Sequence, residues 1–186
     1  MANRKAYNGS IEVVNLAAND PTLIEQTPSS HEQGEQYIEF GEKDDHFQYM
    51  LDCYVNSPTH GAICNAMVLR IMGKGLDRPG VVDPEELKRF ITDRYTLGNG
   101  AWQKVNGKLL HVQSSYLRKH PANEEGKVEY FEYSTEFTEG GAGQDRETIP
   151  NGQYFPNAKK SIYWSRKYTP NTFYYGVPSF QSGLAY

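Results

Sequence analysis

Between residues 44 and 98 the apolar positions recur at helical spacing, and beyond residue 101 they alternate at strand spacing. Phe47, Met50, Leu51, Tyr54 and Val55 follow the i, i+3, i+4, i+7, i+8 rule of an amphipathic helix, with Asp44 or Asp45 as its N-cap. Ser57-Pro58 ends that helix and starts a second, serine capping and proline at the first helical position. Its stripe is Ile63, Ala66, Met67 and Ile71, and Gly73 is placed to stop it. Asp83, Pro84 and Glu86 have the form of a capping box opening a third helix, whose inward face is Leu87, Phe90, Ile91 and Tyr95 and whose end is Gly98.

The strand pattern opens with residues 101–105 and 108–112, which flank Asn106-Gly107, the strongest short hairpin signal. Residues 128–133 and 161–165 read as two further strands, and the glycine-rich, polar stretch 138–157 between them as a long exposed loop. Tyr37-Ile38-Glu39-Phe40, closed by Gly41, is a short strand candidate. Residues 1–36 are dominated by turn-formers and charges that bury too little surface to offset ordering, so an extended or disordered arm is expected. The chain therefore reads as α+β: three short helices packed on a small antiparallel β-sheet or barrel, with an extended N-terminal arm. Its parts are the arm (1–36) and one domain (37–186), the latter divided into a helical part (37–98), a β part (99–168) and a tail (169–186).

Composition narrows the function classes. Of 186 residues, 13% are aromatic and 14 are tyrosine, a residue suited to half-buried strands and to subunit interfaces. A net charge of −4 argues against binding nucleic acid by bulk electrostatics. Charge is segregated, however: residues 122–150 hold eight acidic and two basic side chains, whereas residues 155–186 hold Lys159, Lys160, Arg166 and Lys167 and no acid. Those cations interleave with Tyr163, Trp164 and Tyr168, a pattern that suits either a subunit interface or nucleic-acid contact by stacking and phosphate pairing. The interface reading is favoured because the aromatics are so dense. Cys53 and Cys64 read as free structural thiols of a reducing compartment. The N-terminal residues carry no signal-peptide pattern, and no run approaches the 18 apolar residues of a membrane-spanning helix.

Candidate chemistry is thin. Gly73-Lys74-Gly75 follows a helix instead of opening one, and Leu76 stands where a phosphate loop needs a hydroxyl. His31, His46, His60, His111 and His120 include no helical i, i+4 pair, and neither cysteine has a Cys-x-x-Cys partner, so no metal site and no cofactor are expected. His46 and His60, near helix starts, read as surface residues. The carboxylates of residues 124–139 alternate along a strand and into the predicted loop, where a solvated face is the simple account. A non-enzymatic protein is expected.

Several segments, taken in order, resemble one family. Residues 56–63 (Asn-Ser-Pro-Thr-His-Gly-Ala-Ile) and the stop Gly73-Lys74-Gly75 are similar to the opening of tailed-bacteriophage portal proteins, where a helix bearing N-S-x-x-H-x-A-I precedes G-x-G. Residues 90–102 resemble that family's D-Y-x-x-x-G-N-A segment, in which a helix turns into the first strand of the wing. Residues 108–118 resemble the following strand and L-P-x-x-x-x-R element, with Val112-Gln113-Ser114 in place of the proline, and Tyr174-Tyr175-Gly176-Val177-Pro178 resembles the Y-G-x-P turn before the long inner helix. The resemblance spans about residues 37–180. It implies a structural virion protein, assembled in the host cytoplasm: a ring subunit, usually one of twelve, at the capsid vertex through which double-stranded DNA is packaged and ejected. Implied partners are other copies of the chain, capsid, terminase and tail or adaptor proteins, with no membrane. Portal proteins continue past the Y-G-x-P turn into stem and clip, so the sequence is expected to be a fragment, a truncated product or a small protein that keeps only the wing, and no channel-lining or motor-contact residue is carried over. The alternative is a small nucleic-acid-binding module built on residues 159–175.

Overall fold

A computed structural model describes Gln26, Pro28 and residues 37–76, 80, 82–138, 141, 142, 145–170, 172–178 and 180. The predicted arm, Gln26 and Pro28 apart, lies outside the described residues. Three helices come first: α1 (His46–Asn56), α2 (Pro58–Met72) and α3 (Pro84–Thr96). Strands β1 (Asn99–Val105), β2 (Lys108–Val112), β3 (Leu117–Lys119), β4 (Tyr130–Tyr133), β5 (Phe137–Thr138), β6 (Gly141–Ala142), β7 (Glu147–Pro150) and β8 (Lys160–Arg166) follow. They form two three-stranded antiparallel sheets, ordered β2-β1-β8 and β3-β4-β7, and a small β5-β6 pair. The α+β class holds, with two sheets in place of one. They are joined where Asn151 bridges to Ile162 and the Gly152 amide donates to the Ile162 carbonyl.

The turns form where the sequence places them. Asn106 and Gly107 both take positive φ, as a tight hairpin turn requires, and the β1–β2 register sets Val105 opposite Lys108. The Ser57 hydroxyl accepts from the His60 amide and Pro58 occupies the first turn of α2, which Gly73 ends at φ 52°. The Asp83 carboxylate accepts from the Glu85 amide to cap α3, but Glu86 does not complete the capping box. Its carboxylate instead accepts from the backbone N–H of His111, tying α3 to edge strand β2. Neither Asp44 nor Asp45 caps α1 through its side chain. Asp44 turns inward, and its carboxylate accepts from the Phe40 amide and from Arg118.

Two apolar clusters make the core. One holds Ile38, Phe40, Phe47, Met50, Leu97, Tyr175 and Val177; the other holds Ala101, Leu117, Phe131, Ile149 and Ile162 between the sheets. Trp164 packs against both, its ring 5.7 Å from Phe131 and 6.1 Å from Tyr175. Helix α3 lies on the other face of β1, where Phe90 stacks on Trp102 at 4.6 Å and sits over Gly100; a Cβ there would come within 2.8 Å of the ring.

Two expectations fail for identifiable reasons. Residues 138–157 are not one loop: β7 completes the second sheet, because Ile149 supplies the apolar residue that β4 needs beside Phe131, while Thr148 and Arg146 satisfy the buried Glu132. In α2 the buried positions are Cys64 and Val68, while Ile63, Ala66 and Ile71 of the expected stripe are exposed and Met67 is half-buried. That helix is apolar on nearly every side, so periodicity could not select the inner one. Val55, at the end of the α1 stripe, is likewise exposed, and His46 is buried against Phe40.

Candidate interaction surface

The residues singled out by charge and aromaticity all lie on or beside β8, but alternation along the strand divides them. Trp164 points into the core with Ile162, and its buried Nε1–H has no partner among the described residues. Tyr163 points to the opposite face, opposite Trp102 in the register, and its ring covers Gly152 so closely that a Cβ there would lie 2.4 Å from it. Arg166 donates to the Thr172 carbonyl, holding the turn after the strand. Lys160 pairs with Glu147 of the same chain, so part of the charge complementarity suspected between copies is satisfied within one. Lys167 continues the strand through its backbone N–H, which donates to the Gly98 carbonyl. Lys159 and Tyr168 are exposed, Tyr168 at 76%.

The segment after β8 does not run off as a free tail. Tyr175 is fully buried; its hydroxyl donates to the Ile38 carbonyl at 2.6 Å and accepts from the Lys119 amide at 2.9 Å. The Asn99 side chain donates to the Leu97 and Gly176 carbonyls and accepts from the Gly176 amide. Gly176 passes so near Gly98 that a Cβ on Gly98 would stand 2.7 Å from the Gly176 oxygen, and Gly98 itself has φ 70°. The Gln26 amide oxygen accepts from the Tyr174 and Tyr175 amides, fastening one residue of the N-terminal segment to the same place.

Several ionisable side chains are buried and paired. The Arg118 guanidinium sits between the rings of Phe47 and Phe137, 4.8 and 4.3 Å from their centroids, and its Nε–H reaches both Asp44 oxygens at 2.7 Å. Glu132 accepts from Arg146, Thr148 and His120. Asp93 accepts from the Ser114 amide and adjoins His111 at 3.0 Å. Lys119 donates to the Tyr174 carbonyl beneath Trp164, and burial, with Arg166 nearby, lowers its ammonium to about 7. Burial pushes the Cys64 thiol up, which keeps it protonated and inert. Among the described residues no group of three or more His, Cys, Asp or Glu is arranged to hold a metal ion.

Two apolar patches escaped the sequence reading. The outer face of α2 exposes Ile63 and Leu69 with Ala62 and Ala66, and the start of β4 with the turn after β7 exposes Tyr130 and Tyr154. Both were hidden because exposure of an apolar residue depends on which neighbour covers it, and no local pattern records that.

No family model and no curated protein matches the chain. Among solved structures, the fold is similar to a chain in the neck of a native gene transfer agent (GTA) particle computed with C12 symmetry. The TM-score is 0.54 at 14% identity, over 86% of this chain and 42% of that one. Chains in a virion of the native gene transfer agent particle and in the neck of the empty particle computed with C6 symmetry match with TM-score 0.53, at 16% and 15% identity. Each match covers 76% of this chain. The chain spans about two fifths of the length of the chains it resembles, and what it shares with them is their fold.

Proposed function

We propose that this chain is a structural component of a phage-type particle, in particular a portal-type ring subunit at the vertex where head joins tail. The observation that carries this reading is the fold shared over 86% of the chain with a protein of a particle neck computed with twelve-fold symmetry. The ordered segments resembling portal proteins point the same way from sequence. In this role the β region is the wing, other copies of the chain are its neighbours, capsid, terminase and tail or adaptor proteins are its partners, and double-stranded DNA passes through the ring without being read. The protein catalyses nothing. Its buried ionisable groups support that view, since Asp44, Arg118, Glu132 and Lys119 are held by hydrogen bonds that link one element to another.

Residues Lys159, Lys160, Tyr163, Trp164, Arg166, Lys167 and Tyr168 are assigned to the support and rim of a subunit contact, not to base stacking, because the Trp164 ring is packed in the core. Electron microscopy and native mass spectrometry of the full-length polypeptide test the reading. A closed ring of defined rotational symmetry is expected, and a polypeptide that stays monomeric at every concentration refutes it.

A further inference from the structure

Helix α2 is apolar around most of its circumference, yet the described fold buries the side of Cys64 and Val68, through α1 and α3, with Phe180 packed on His60. At 100° per residue, Ala62, Ile63, Ala66 and Leu69 fall within one outward arc of roughly 120°. Ile63 is 57% and Leu69 59% exposed. A helix apolar on all sides belongs between two partners, and a contiguous exposed apolar face marks an interaction site. Its rim is cationic: α2 contains no acidic residue, and Arg70 and Lys74 are exposed at its C-terminal end.

A second, chemically different patch has the opposite sign. Tyr130 packs beside Phe155 at 5.4 Å, Tyr154 lies near Lys127, and both tyrosines expose over a third of their surface. Around them stand Glu124, Glu125 and Glu129 against Lys127, which is already paired with Glu125, and Lys104, which is engaged with the Pro156 carbonyl. Of the other exposed aromatics, Tyr168 and Phe173 are flanked by Arg166 and Lys167, the same sign as the α2 rim, and Tyr49 lies on α1, the helix that packs against α2 within one copy.

We propose that the outer face of α2 in one copy docks, head to tail, on the Tyr130–Tyr154 patch of a second copy of this chain. This rests on the ring reading and names its contact. Two unlike, charge-complementary patches on one chain form a heterologous interface, which closes into a ring when the rotation per subunit divides a full turn. A two-fold contact through α2 alone would leave the acidic aromatic patch uncovered.

The test uses full-length protein carrying a photo-cross-linking residue at Ala62 or Leu69, mixed as isotopically light and heavy populations. Mass spectrometry is expected to find mixed-isotope cross-links from α2 to residues 124–133 or 151–158. Sedimentation should show association about tenfold weaker or worse in Ala66→Glu and Arg70→Glu, with Glu129→Lys restoring the latter. Circular dichroism of each variant separates lost contact from lost fold, and the charge-swapped pair keeps the test decisive should Ala66→Glu misfold. A ring whose cross-links map elsewhere overturns this contact and leaves the particle reading intact. Cross-links confined to one copy show that the chain's own residues cover α2, and they overturn it too, as does the absence of any mixed-isotope product at the highest soluble concentration.

Discussion

Replacing Tyr175 by Phe removes one oxygen and leaves the ring, which isolates the polar link between the last described segment and the rest of the fold. The hydroxyl serves two buried backbone groups, accepting from the Lys119 N–H and donating to the Ile38 carbonyl. The ring keeps its contacts with Phe40, Phe47 and Trp164, so little apolar burial is lost. An unsatisfied buried donor or acceptor costs about 1–3 kcal/mol, so the pair should cost roughly 2–4 kcal/mol after partial relaxation. For a chain of this size each kcal/mol lowers Tm by about 2–4 °C, which predicts a fall of roughly 5–15 °C. Tyr174→Phe is the control: its hydroxyl accepts only a 3.2 Å bond from the Ala122 amide in a half-buried setting, and it should cost under about 1 kcal/mol. Thermal and urea unfolding followed by circular dichroism read both. Equal, small losses in the two variants would refute the claim that Tyr175 sutures residues 38, 119 and 175 together.

Two further outcomes follow from the buried charges. Lys119 ionises near 7 when folded and near its ordinary value when unfolded, so between about pH 7 and pH 9 the unfolded chain holds more protons and stability should rise with pH, by up to about 1.4 kcal/mol per unit. Lys119→Met should flatten that slope in urea titrations at pH 7, 8 and 9, and an unchanged slope would assign the effect to another group. Asp44→Asn leaves the Arg118 cation enclosed by two rings without its counter-charge, and should cost about 3–5 kcal/mol in denaturant unfolding. A loss below about 1 kcal/mol would mean that water reaches the guanidinium.

What could be read in advance was local. Asn106-Gly107, Ser57-Pro58, Asp83-Pro84 and Gly73 each fix backbone geometry through their own chemistry, so the helices, their ends and the first hairpin were visible along the chain. What escaped depends on residues far apart in sequence. β7 is recognisable as a strand only beside β4, where Ile149 meets Phe131 and Thr148 meets Glu132. Asp44 looked like a cap because its partner Arg118 lies 74 residues on. The inner face of α2 was ambiguous because the helix offers apolar residues in nearly every direction, a property more telling about its surroundings than about its own periodicity. For the same reason the seven residues of the β8 segment could be picked out as a group but not sorted into those that pack inward and those that face solvent.

The contact between Gly98 and Gly176 has a consequence for how such a fold can be handed between larger proteins. The polypeptide enters β1 from Gly98 and, after β8 of the same sheet, returns to Gly176 beside it, so the two ends of the β region lie next to each other, stitched by the Asn99 side chain. A segment whose ends lie side by side can be accommodated between two neighbouring residues of a host scaffold without forcing the flanking chain apart. The neighbouring ends ease such a transfer, but Tyr175, Arg118 and Trp164 share core and hydrogen bonds with residues 38–50, so the β region travels together with that segment.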